Sequence, residues 1–447
     1  MLARWLPTHA PMAPTQRSGV VTDSNVTPVM LPARARLSVP PDGILRESGQ
    51  RTPPARAAGP VVTETAPGPA RQAAAKQGAR HVTVSRPAAV VILAAGAGTR
   101  MKSQLPKVLH PICGASMLDH VLAAARELDP AELIVVVGHG RREVAGHLAE
   151  HAPDAQVVVQ QRQGGTGHAV RVVTETFALG EGTVVVTYGD TPLLRGSTLA
   201  ALVREHAAQH AAVTALTTVL ADPTGYGRIL RDARGAFAEI VEDADASAEQ
   251  RTVTEINSGV YAFESSLLAD SVKRLPTDNA KDEEYLTDVV AILRAEGHRV
   301  ATVTTPDSDE VCGVNDRVQL AQARRLLNAR ILDGWMRAGV TIIDPLTTLI
   351  DASVVLGQDV EIGPGTQLAG GTVVEGGARV GPGCLLRDTA VGEGAALSHV
   401  VGVSARIGPG VTVEPFTYLP AGTELPGKGP GPKRSGAGAP AGKRAQP

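Results

Sequence analysis

Two different periods of hydrophobic residues run along the chain. From Val90 to about Asp316, short apolar runs alternate with amphipathic segments, which is typical of βαβ units around a mostly parallel sheet. The runs predict strands at Ala89–Ala95, Leu133–Val137, Gln156–Gln160, Thr183–Thr187, Ala212–Leu220, Arg228–Leu230, Phe237–Val241, Gly259–Phe263 and Val300–Thr304. Helical spacing predicts helices at Leu118–Leu128, Gly167–Thr176, Thr198–His210 and Glu283–Ala295. The stretch from Asp222 to Asn257 has the pattern of hairpins inserted beside this sheet.

The second period begins after a helical segment. Asp316 to Ala338 has helical spacing and, at ~1.5 Å per residue, would span roughly 35 Å, enough for a spacer between domains. Beyond it an aliphatic residue recurs every six positions, which is the signature of a parallel β-helix with three strands per coil, here about four coils. The predicted inward residues are Leu356, Ile362, Leu368, Val374, Val380, Leu386 and, after a slip, Val391, Leu397, Val401, Ile407, Val413 and Leu419.

These patterns predict five segments. Residues 1–86 are rich in Pro, Ala and Arg and have no hydrophobic period, which predicts a disordered extension. A transit peptide or a start site assigned too far upstream would have the same composition. An α/β domain over 87–315, a linker helix over 316–339 and a β-helix over 340–420 follow. Residues 421–447 turn to Gly, Pro, Lys and Ala, which predicts a disordered tail.

Composition limits the class of partner. The 447 residues carry a formal net charge of −2, so nothing indicates nucleic acid as the main partner. Cys113, Cys312 and Cys384 are too far apart for a metal or disulfide motif, which indicates a reducing compartment. Because no apolar run approaches the ~20 residues that a membrane span needs, we expect no membrane partner and a cytoplasmic protein.

Candidate chemistry begins where the first buried strand ends. The run Ala89–Ala95 breaks into Gly96-Ala97-Gly98, whose backbone can approach a ligand closely, and Arg100 and Lys107 follow. Exposed amides together with two cations suit a polyphosphate. The glycine spacing is neither that of the dinucleotide fingerprint nor that of the P-loop, so on the glycines alone a plain strand-to-helix turn is equally compatible.

A second candidate site lies at the end of the run Thr183–Thr187. Asp190 follows this strand, and a carboxylate at the carboxyl edge of a parallel sheet, opposite a glycine loop, suits Mg²⁺. The alternative is a turn aspartate that caps the next helix. Nearby, the Gly164–His168 stretch offers further backbone amides at a helix start, with Thr166 as a candidate N-cap and His168 as a structural residue rather than a general base.

A set of motifs occurs in the order and spacing of one protein family. They are LAAGAGTRM…LPKVLH, QGGTGHA, YGDTPL, DPTGYGRI, IVEDADA, EINSGVY, YLTD and GVNDR, and the similarity extends from about Ala89 to Phe416. The chain thereby resembles the bacterial bifunctional N-acetylglucosamine-1-phosphate uridyltransferase/glucosamine-1-phosphate acetyltransferase family. The resemblance implies a Rossmann-like nucleotidyltransferase domain with a mixed, mostly parallel sheet, followed by a short left-handed parallel β-helix of hexapeptide repeats.

The resemblance also implies a reaction and a nucleotide site. The reaction is the Mg²⁺-assisted, in-line attack of N-acetylglucosamine 1-phosphate on the α-phosphate of UTP, giving UDP-N-acetylglucosamine and pyrophosphate. Arg100 would face the leaving pyrophosphate and Lys107 the α-phosphate oxygens. The residues implied at the uridine are Leu93, Ala94, Ala95, Gly96, Gln160, Gly165 and Thr166.

The remaining implied residues belong to the metal and the sugar. Asp190, in a strand-end cluster with Tyr188 and Gly189, is similar to the family's metal ligand. Asn315 resembles the second protein ligand, although a short acceptor there would also suit a cap on the long helix that follows. The implied sugar contacts are Gly227, Glu242 and Asn257. A hairpin glycine and a solvated strand end are the alternatives for the first two.

Two departures from the family change the expectation. Family members continue the β-helix for several further coils, which carry the acetyl-transfer residues and much of the trimer contact. Here the segment that starts at Pro415 gives way to the tail, so we expect no acetyltransferase activity, and a homotrimer through the β-helix stays open. In addition, Lys281 and Asp282 depart from the family's usual Gln-Gly.

Two alternatives therefore remain for the function. One is a nucleotidyltransferase that uses a different hexosamine 1-phosphate, or dTTP, in a specialised pathway. The other is a non-catalytic regulatory subunit. The retained candidate residues argue against the second alternative: Arg100, Lys107, Asp190 and Asn315.

Overall fold

The structure is a computed structural model that describes residues 86–427. The predicted N-terminal extension therefore lies outside the described residues apart from Arg86, and so does the predicted tail beyond residue 427. Within the described range, no helix is long and apolar enough to cross a lipid bilayer.

The first part of this range is an α/β domain. Its strands are β1 Ala89–Ala94, β2 Pro111–Ile112, β3 Ala115–Ser116, β4 Glu132–Val137, β5 Gln156–Val159, β6 Thr183–Tyr188, β7 Val213–Val219, β8 Arg228–Arg231, β9 Phe237–Val241, β10 Glu255–Glu264 and β11 Val300–Thr304. Its helices are α1 Met117–Arg126, α2 Arg141–His151, α3 Thr166–Thr176, α4 Gly196–Gln209, α5 Ser265–Ser271 and α6 Asp288–Ala295. A longer helix, α7 Arg317–Arg337, follows the domain.

The central sheet has the order β11-β7-β10-β6-β1-β4-β5. β10 is antiparallel to both of its neighbours and the other pairs along this path are parallel, so the predicted mixed, mostly parallel sheet is confirmed. β1 is buried along its whole length, as its continuous apolar sequence requires for a strand covered on both faces. The ends of β1, β5 and β6 therefore lie along one edge of the sheet.

The helices differ from the prediction at three places. The helices α2 and α5 were not predicted, and α2 buries only Val144 and Leu148, so its hydrophobic period is faint. The helix predicted to start at Glu283 starts at Asp288 instead. The residues before it are held by a neighbouring loop, because the Glu284 amide donates to the Gly164 carbonyl at 2.8 Å, and the Gly167 amide donates to the Glu284 carbonyl at 2.8 Å.

The long helix α7 contacts both parts of the described chain. Its 21 residues correspond to about 31 Å of helix. Leu320 packs with Met101 of the α/β domain, whereas Leu332 belongs to the core of the repeats that follow. The buried Asn328 adds polar contacts to the first coil: its Nδ2 donates to the Thr348 carbonyl at 2.9 Å, and its Oδ1 accepts from the Ile350 amide at 3.0 Å.

The C-terminal part consists of short parallel strands in three ladders. The strands are β12 Thr341–Ile342, β13 Leu349–Ile350, β14 Val355–Leu356, β15 Glu361–Ile362, β16 Gln367–Ala369, β17 Val373–Val374, β18 Arg379–Val380, β19 Leu385–Arg387, β20 Ala390–Val391, β21 Ala396–Leu397, β22 Val401–Val403, β23 Arg406–Ile407, β24 Tyr418–Leu419 and β25 Glu424–Leu425. They stack as β12-β15-β18-β21, β13-β16-β19-β22-β24 and β14-β17-β20-β23-β25. Three parallel ladders are what a β-helix of hexapeptide repeats requires.

One predicted inward residue is wrong. The other residues of the six-residue series are buried, but Val401 is 37% exposed, and the buried Gly402 is the partner of Leu386 in the ladder. The steps from Leu386 to Val391, from Leu397 to Gly402 and from Gly402 to Ile407 are each five residues long. The prediction shortened two steps, those to Val391 and to Val401, whereas the chain shortens three corners. The described ladder also continues to Leu425.

Candidate active site

A cleft of about 370 Å³ opens at the sheet edge where β1, β5 and β6 end. This volume falls in the range of roughly 300–1,000 Å³ that is usual for small-molecule sites. The structure brings together in its lining these residues from the sequence-based prediction: Leu93, Ala94, Ala95, Gly96, Lys107, Gln160, Gly165, Thr166, Tyr188 and Asp190. The other predicted site residues lie outside the lining: Arg100, Gly189, Gly227, Glu242, Asn257 and Asn315.

A cation bridges the two predicted metal ligands. The Lys107 ammonium forms an ion pair with Asp190 Oδ2 and donates a hydrogen bond of 3.1 Å to Asn315 Oδ1. The Lys107 and Asp190 side chains are only 13% and 17% exposed, so water screens this pair weakly. The backbone ties the same segments together, since the Val314 amide donates to the Asp190 carbonyl at 2.8 Å. Two side-chain oxygens from distant parts of the chain thus converge on one positive charge.

The donor set suits a hard cation that keeps other ligands. Residues 86–427 contain no cluster of three or more His, Cys, Asp and Glu side chains that could enclose a metal ion. One carboxylate and one amide oxygen fit Mg²⁺, which usually retains waters and substrate phosphate oxygens in its coordination shell.

The capping alternatives for these two predicted ligands are wrong. The N-cap of α7 is Asp316, whose Oδ1 accepts from the amides of Val318 at 2.9 Å and Gln319 at 2.8 Å. Arg195, not Asp190, holds the N-cap position of α4. Neither Asp190 nor Asn315 thus caps the start of a helix, and both side chains contact Lys107.

The glycine loop between β1 and Lys107 carries the second predicted cation, Arg100, which lies outside the cleft's lining. Gly98 has a φ of +59°, and a Cβ at this position would lie 2.6 Å from Lys107 Cβ, so only glycine fits. Arg100 follows in a 3₁₀ turn whose next residue, Met101, is 1% exposed and anchors the loop. Arg100 itself is exposed and makes no hydrogen bond or ion pair to another residue of the described range.

A buried amide, that of Gln160, stands at the opposite end of the cleft. Its Nε2 donates to the Gly165 carbonyl at 3.0 Å and to His168 Nδ1 at 2.9 Å, which leaves its own oxygen free. Burial lowers the pKa of His168, which keeps the ring neutral and able to accept this bond. The prediction of a structural His168 agrees with this contact, because the ring orients Gln160.

The predicted role of Thr166 as an N-cap is wrong. Gly165, with a φ of +102°, holds the N-cap position of α3, and Thr166 is the first helical residue. The Thr166 hydroxyl instead accepts from the Leu286 amide at 3.1 Å. Burial raises the pKa of Tyr188, so its hydroxyl stays protonated. Behind the ring, a Cβ on Gly259, which has a φ of +79°, would lie 2.2 Å from Tyr188 Cε2.

The three predicted sugar residues lie together beside this tyrosine. The Asn257 amide donates to the Gly227 carbonyl at 2.8 Å, and a Cβ on Gly227 would lie 3.6 Å from Glu242 Oε1. Glu242 accepts a hydrogen bond of 3.3 Å from the Thr287 hydroxyl, and burial raises the pKa of its carboxyl. Glu242 is therefore not a solvated strand end, whereas the contacts of Gly227 are equally those of a hairpin glycine.

Sequence reasoning missed several residues of the site. Gln163 Nε2 donates to the Ala95 carbonyl at 2.9 Å, and Glu283 lines the cleft. Thr287, which bonds Glu242, lies in YLTD, a motif that was noted without a role for its threonine. Gln163 stands directly before the Gly164-Gly165 pair, and a polar residue beside a glycine turn was the available signal.

The fold and the site together define a nucleotidyltransferase with an attached β-helix. Residues 90–255 match the family of MobA-like NTP transferase domains. The chain is 57% identical to the bifunctional protein GlmU of Thermobifida fusca over 332 residues, which are 73% of this chain and 69% of that protein. It is 56% identical to the bifunctional protein GlmU of Streptomyces coelicolor over 342 residues, which are 76% of this chain and 71% of that protein. The chain belongs to the GlmU family.

Proposed function

We propose that the chain is a Mg²⁺-dependent uridylyltransferase that makes UDP-N-acetylglucosamine and pyrophosphate from UTP and N-acetylglucosamine 1-phosphate. The convergence of Asp190 and Asn315 on the Lys107 ammonium is the observation that carries the proposal. A sugar phosphate is already ionised at pH 7, so the reaction needs in-line positioning and neutralisation of charge more than a general base.

The cations of the site have separate tasks. Lys107, at the floor of the cleft, would bind the α-phosphate oxygens and stabilise the charge that grows there during attack. Arg100, exposed on the glycine loop, would bind the leaving pyrophosphate. Asp190 and Asn315 would hold Mg²⁺, which when bound supplies further neutralisation of the phosphates.

The nucleoside and the sugar occupy opposite sides of these phosphates. The free oxygen of Gln160, together with the backbone from Leu93 to Gly96, would bind the uracil, and Gly165 and Thr166 would lie beside the base and ribose. Tyr188 and Gly189 close the strand end between the two subsites. Gly227, Glu242 and Asn257 would contact the sugar's hydroxyls and acetamido group.

The test is release of pyrophosphate by the protein incubated with UTP, Mg²⁺ and N-acetylglucosamine 1-phosphate. We expect the wild-type protein to be active and the Asp190→Ala variant nearly inactive. Full activity of that variant would contradict the metal assignment. Omission of the divalent cation should abolish release as well.

The loop before α6 favours a second candidate, a different hexosamine 1-phosphate. Asp282 stands there with a φ of +54°, a conformation that glycine adopts more easily. Its neighbour Lys281 places a cation 5.9 Å from the centre of the Tyr285 ring, near Glu242. Turnover across a panel of sugar phosphates, each with UTP and with dTTP, separates the two candidates.

Acetyl transfer is not part of this assignment. Residues 426–447 do not continue the six-residue aliphatic period of the preceding coils. Incubation with glucosamine 1-phosphate and acetyl-coenzyme A tests whether the protein also forms an N-acetylated product. We place the protein in the cytoplasm, where its substrates and a supply of Mg²⁺ are found.

A homotrimer through the β-helix is also part of the proposal. The outward residues of the β13-β16-β19-β22-β24 ladder include Leu349, Leu385, Val401 and Tyr418, which are 43%, 42%, 37% and 62% exposed. This ladder thus has an apolar outer face that a second copy would cover. Light scattering should give three times the monomer mass for the wild type and a smaller mass for Leu385→Glu.

A further inference from the structure

The hairpin that carries two of the three sugar residues is joined to β10 of the sheet by few backbone contacts. β8 and β9 pair with each other, but β8 pairs with β10 only where Arg228 faces Ile256. Gly227 precedes β8 and Glu242 follows β9, so both stand at the open end of the hairpin. The last pair of the β8–β9 ladder, Arg228 with Val241, lies next to both residues, but neither Gly227 nor Glu242 is itself part of that ladder. A side-chain contact just beyond the ladder therefore helps to set their separation.

A buried arginine makes that contact. Arg228 is only 2% exposed, and its Nη2 donates to Asp243 Oδ1 at 3.0 Å, while its Nη1 donates to the Tyr226 carbonyl. Arg228 is the neighbour of Gly227, and Asp243 is the neighbour of Glu242. One ion pair thus spans the open end of the hairpin immediately beside both sugar-contacting positions.

The aspartate is held from its other side as well. The Asp243 carbonyl accepts hydrogen bonds from Arg251 at 3.1 Å from Nη2 and 3.3 Å from Nε. A buried guanidinium needs a charged partner, because an unpaired charge in such surroundings is strongly unfavourable. The ion pair therefore restrains the backbone on both sides of the hairpin's open end, and it is not merely a contact between solvent-exposed side chains.

We propose that Arg228 and Asp243 are positioning residues that set the distance between Gly227 and Glu242 and thereby the selectivity for the sugar phosphate. The proposal rests on the uridylyltransferase function given above. Neither side chain needs to touch the sugar. Displacement of one binding group by about an ångström is enough to weaken recognition, because hydrogen-bonding geometry at a bound substrate is strict.

The chain offers a matched control on the same strand. Arg231 of β8 forms a bidentate ion pair with Glu255 of β10, at 2.9 and 2.7 Å, away from the sugar residues. If only the stability of the hairpin matters, Arg231→Met and Asp243→Ala should act alike. If position matters, only Asp243→Ala should change sugar binding.

The experiment measures steady-state kinetics of the full chain with UTP and three sugar phosphates: N-acetylglucosamine 1-phosphate, glucosamine 1-phosphate and glucose 1-phosphate. For Asp243→Ala we expect the KM for the preferred sugar phosphate to rise about tenfold and the selectivity ratio to fall by a similar factor. The KM for UTP should stay unchanged. Asp243→Asn keeps an acceptor oxygen for Arg228 and should give an intermediate KM.

KM does not depend on how much of the protein is folded, so partial unfolding of a variant does not hide the result. Equal sugar-phosphate KM values for Asp243→Ala, Arg231→Met and the wild type would overturn the proposal, as would a parallel rise in both variants. The effect of Asp243→Ala should also disappear in a Glu242→Gln background. An inactive wild-type protein would instead refute the uridylyltransferase function itself.

Discussion

The α/β domain and the β-helix use side chains in opposite ways. In the β-helix each inward residue stacks on another 16 to 18 residues away, as Leu356 does on Val374 and Val391 on Ile407 in their ladder pairs. In the α/β domain the central cluster joins Lys107 to Asn315, which is 208 residues later. The β-helix is stabilised by contacts between neighbouring repeats. The charged site of the α/β domain instead depends on contacts between residues that are far apart in the sequence.

The largest effect should come from removing the charge at the centre of the site. Lys107→Met keeps the aliphatic stem but loses the ammonium, so we expect kcat to fall roughly 10²–10³-fold, as for loss of one donor to a developing oxyanion. Pyrophosphate release at saturating UTP measures it. Lys102→Met, an exposed lysine of the same loop, is the control and should stay near wild-type activity.

A substitution in the core of the β-helix should lower its stability and leave the catalytic rate unchanged. Leu386 is fully buried, so Leu386→Ala should cost about 2–5 kcal/mol of unfolding free energy through lost burial and a cavity. Denaturant unfolding measures the loss, and kcat should remain unchanged. The outward Glu361→Ala is the control, expected within about 0.5 kcal/mol of the wild type. A large fall in kcat for Leu386→Ala would show that the two parts are not separable.

A smaller effect should appear as a pH dependence of stability. Burial raises the pKa of Glu242, so the native state holds this proton more tightly than the unfolded state does. The carboxyl therefore costs no stability below its unfolded pKa, and its cost grows as pH rises through the raised native value. Glu242→Gln cannot ionise, so its gain in melting temperature over the wild type should be larger at pH 8 than at pH 4. An equal difference at both pH values would contradict the burial argument.

The sequence was informative where the pattern was continuous or the motif long. The apolar run of β1 and the six-residue period indicated the two architectures without any structure. The polar helix α2 was missed because it buries only two residues, and α6 was extended too far because the contact of Glu284 with Gly164 is long-range. The Arg228–Asp243 ion pair could not be predicted from the sequence either, because it forms only when β8 and β9 pair with each other.

The smallest expected effect concerns Val401, the position where the six-residue period gave a wrong prediction of an inward side chain. Val401→Thr places a hydroxyl where the structure has a 37% exposed side chain, so the change in unfolding free energy should stay within about 0.5 kcal/mol. The same substitution at Val391, which is 1% exposed, buries that hydroxyl and should cost about 1–3 kcal/mol. Equal losses at the two positions would mean that Val401 faces inward after all and that the second corner is not shortened. A difference between them would confirm that a missing residue at a corner, and not the period alone, decides which side chain enters the core.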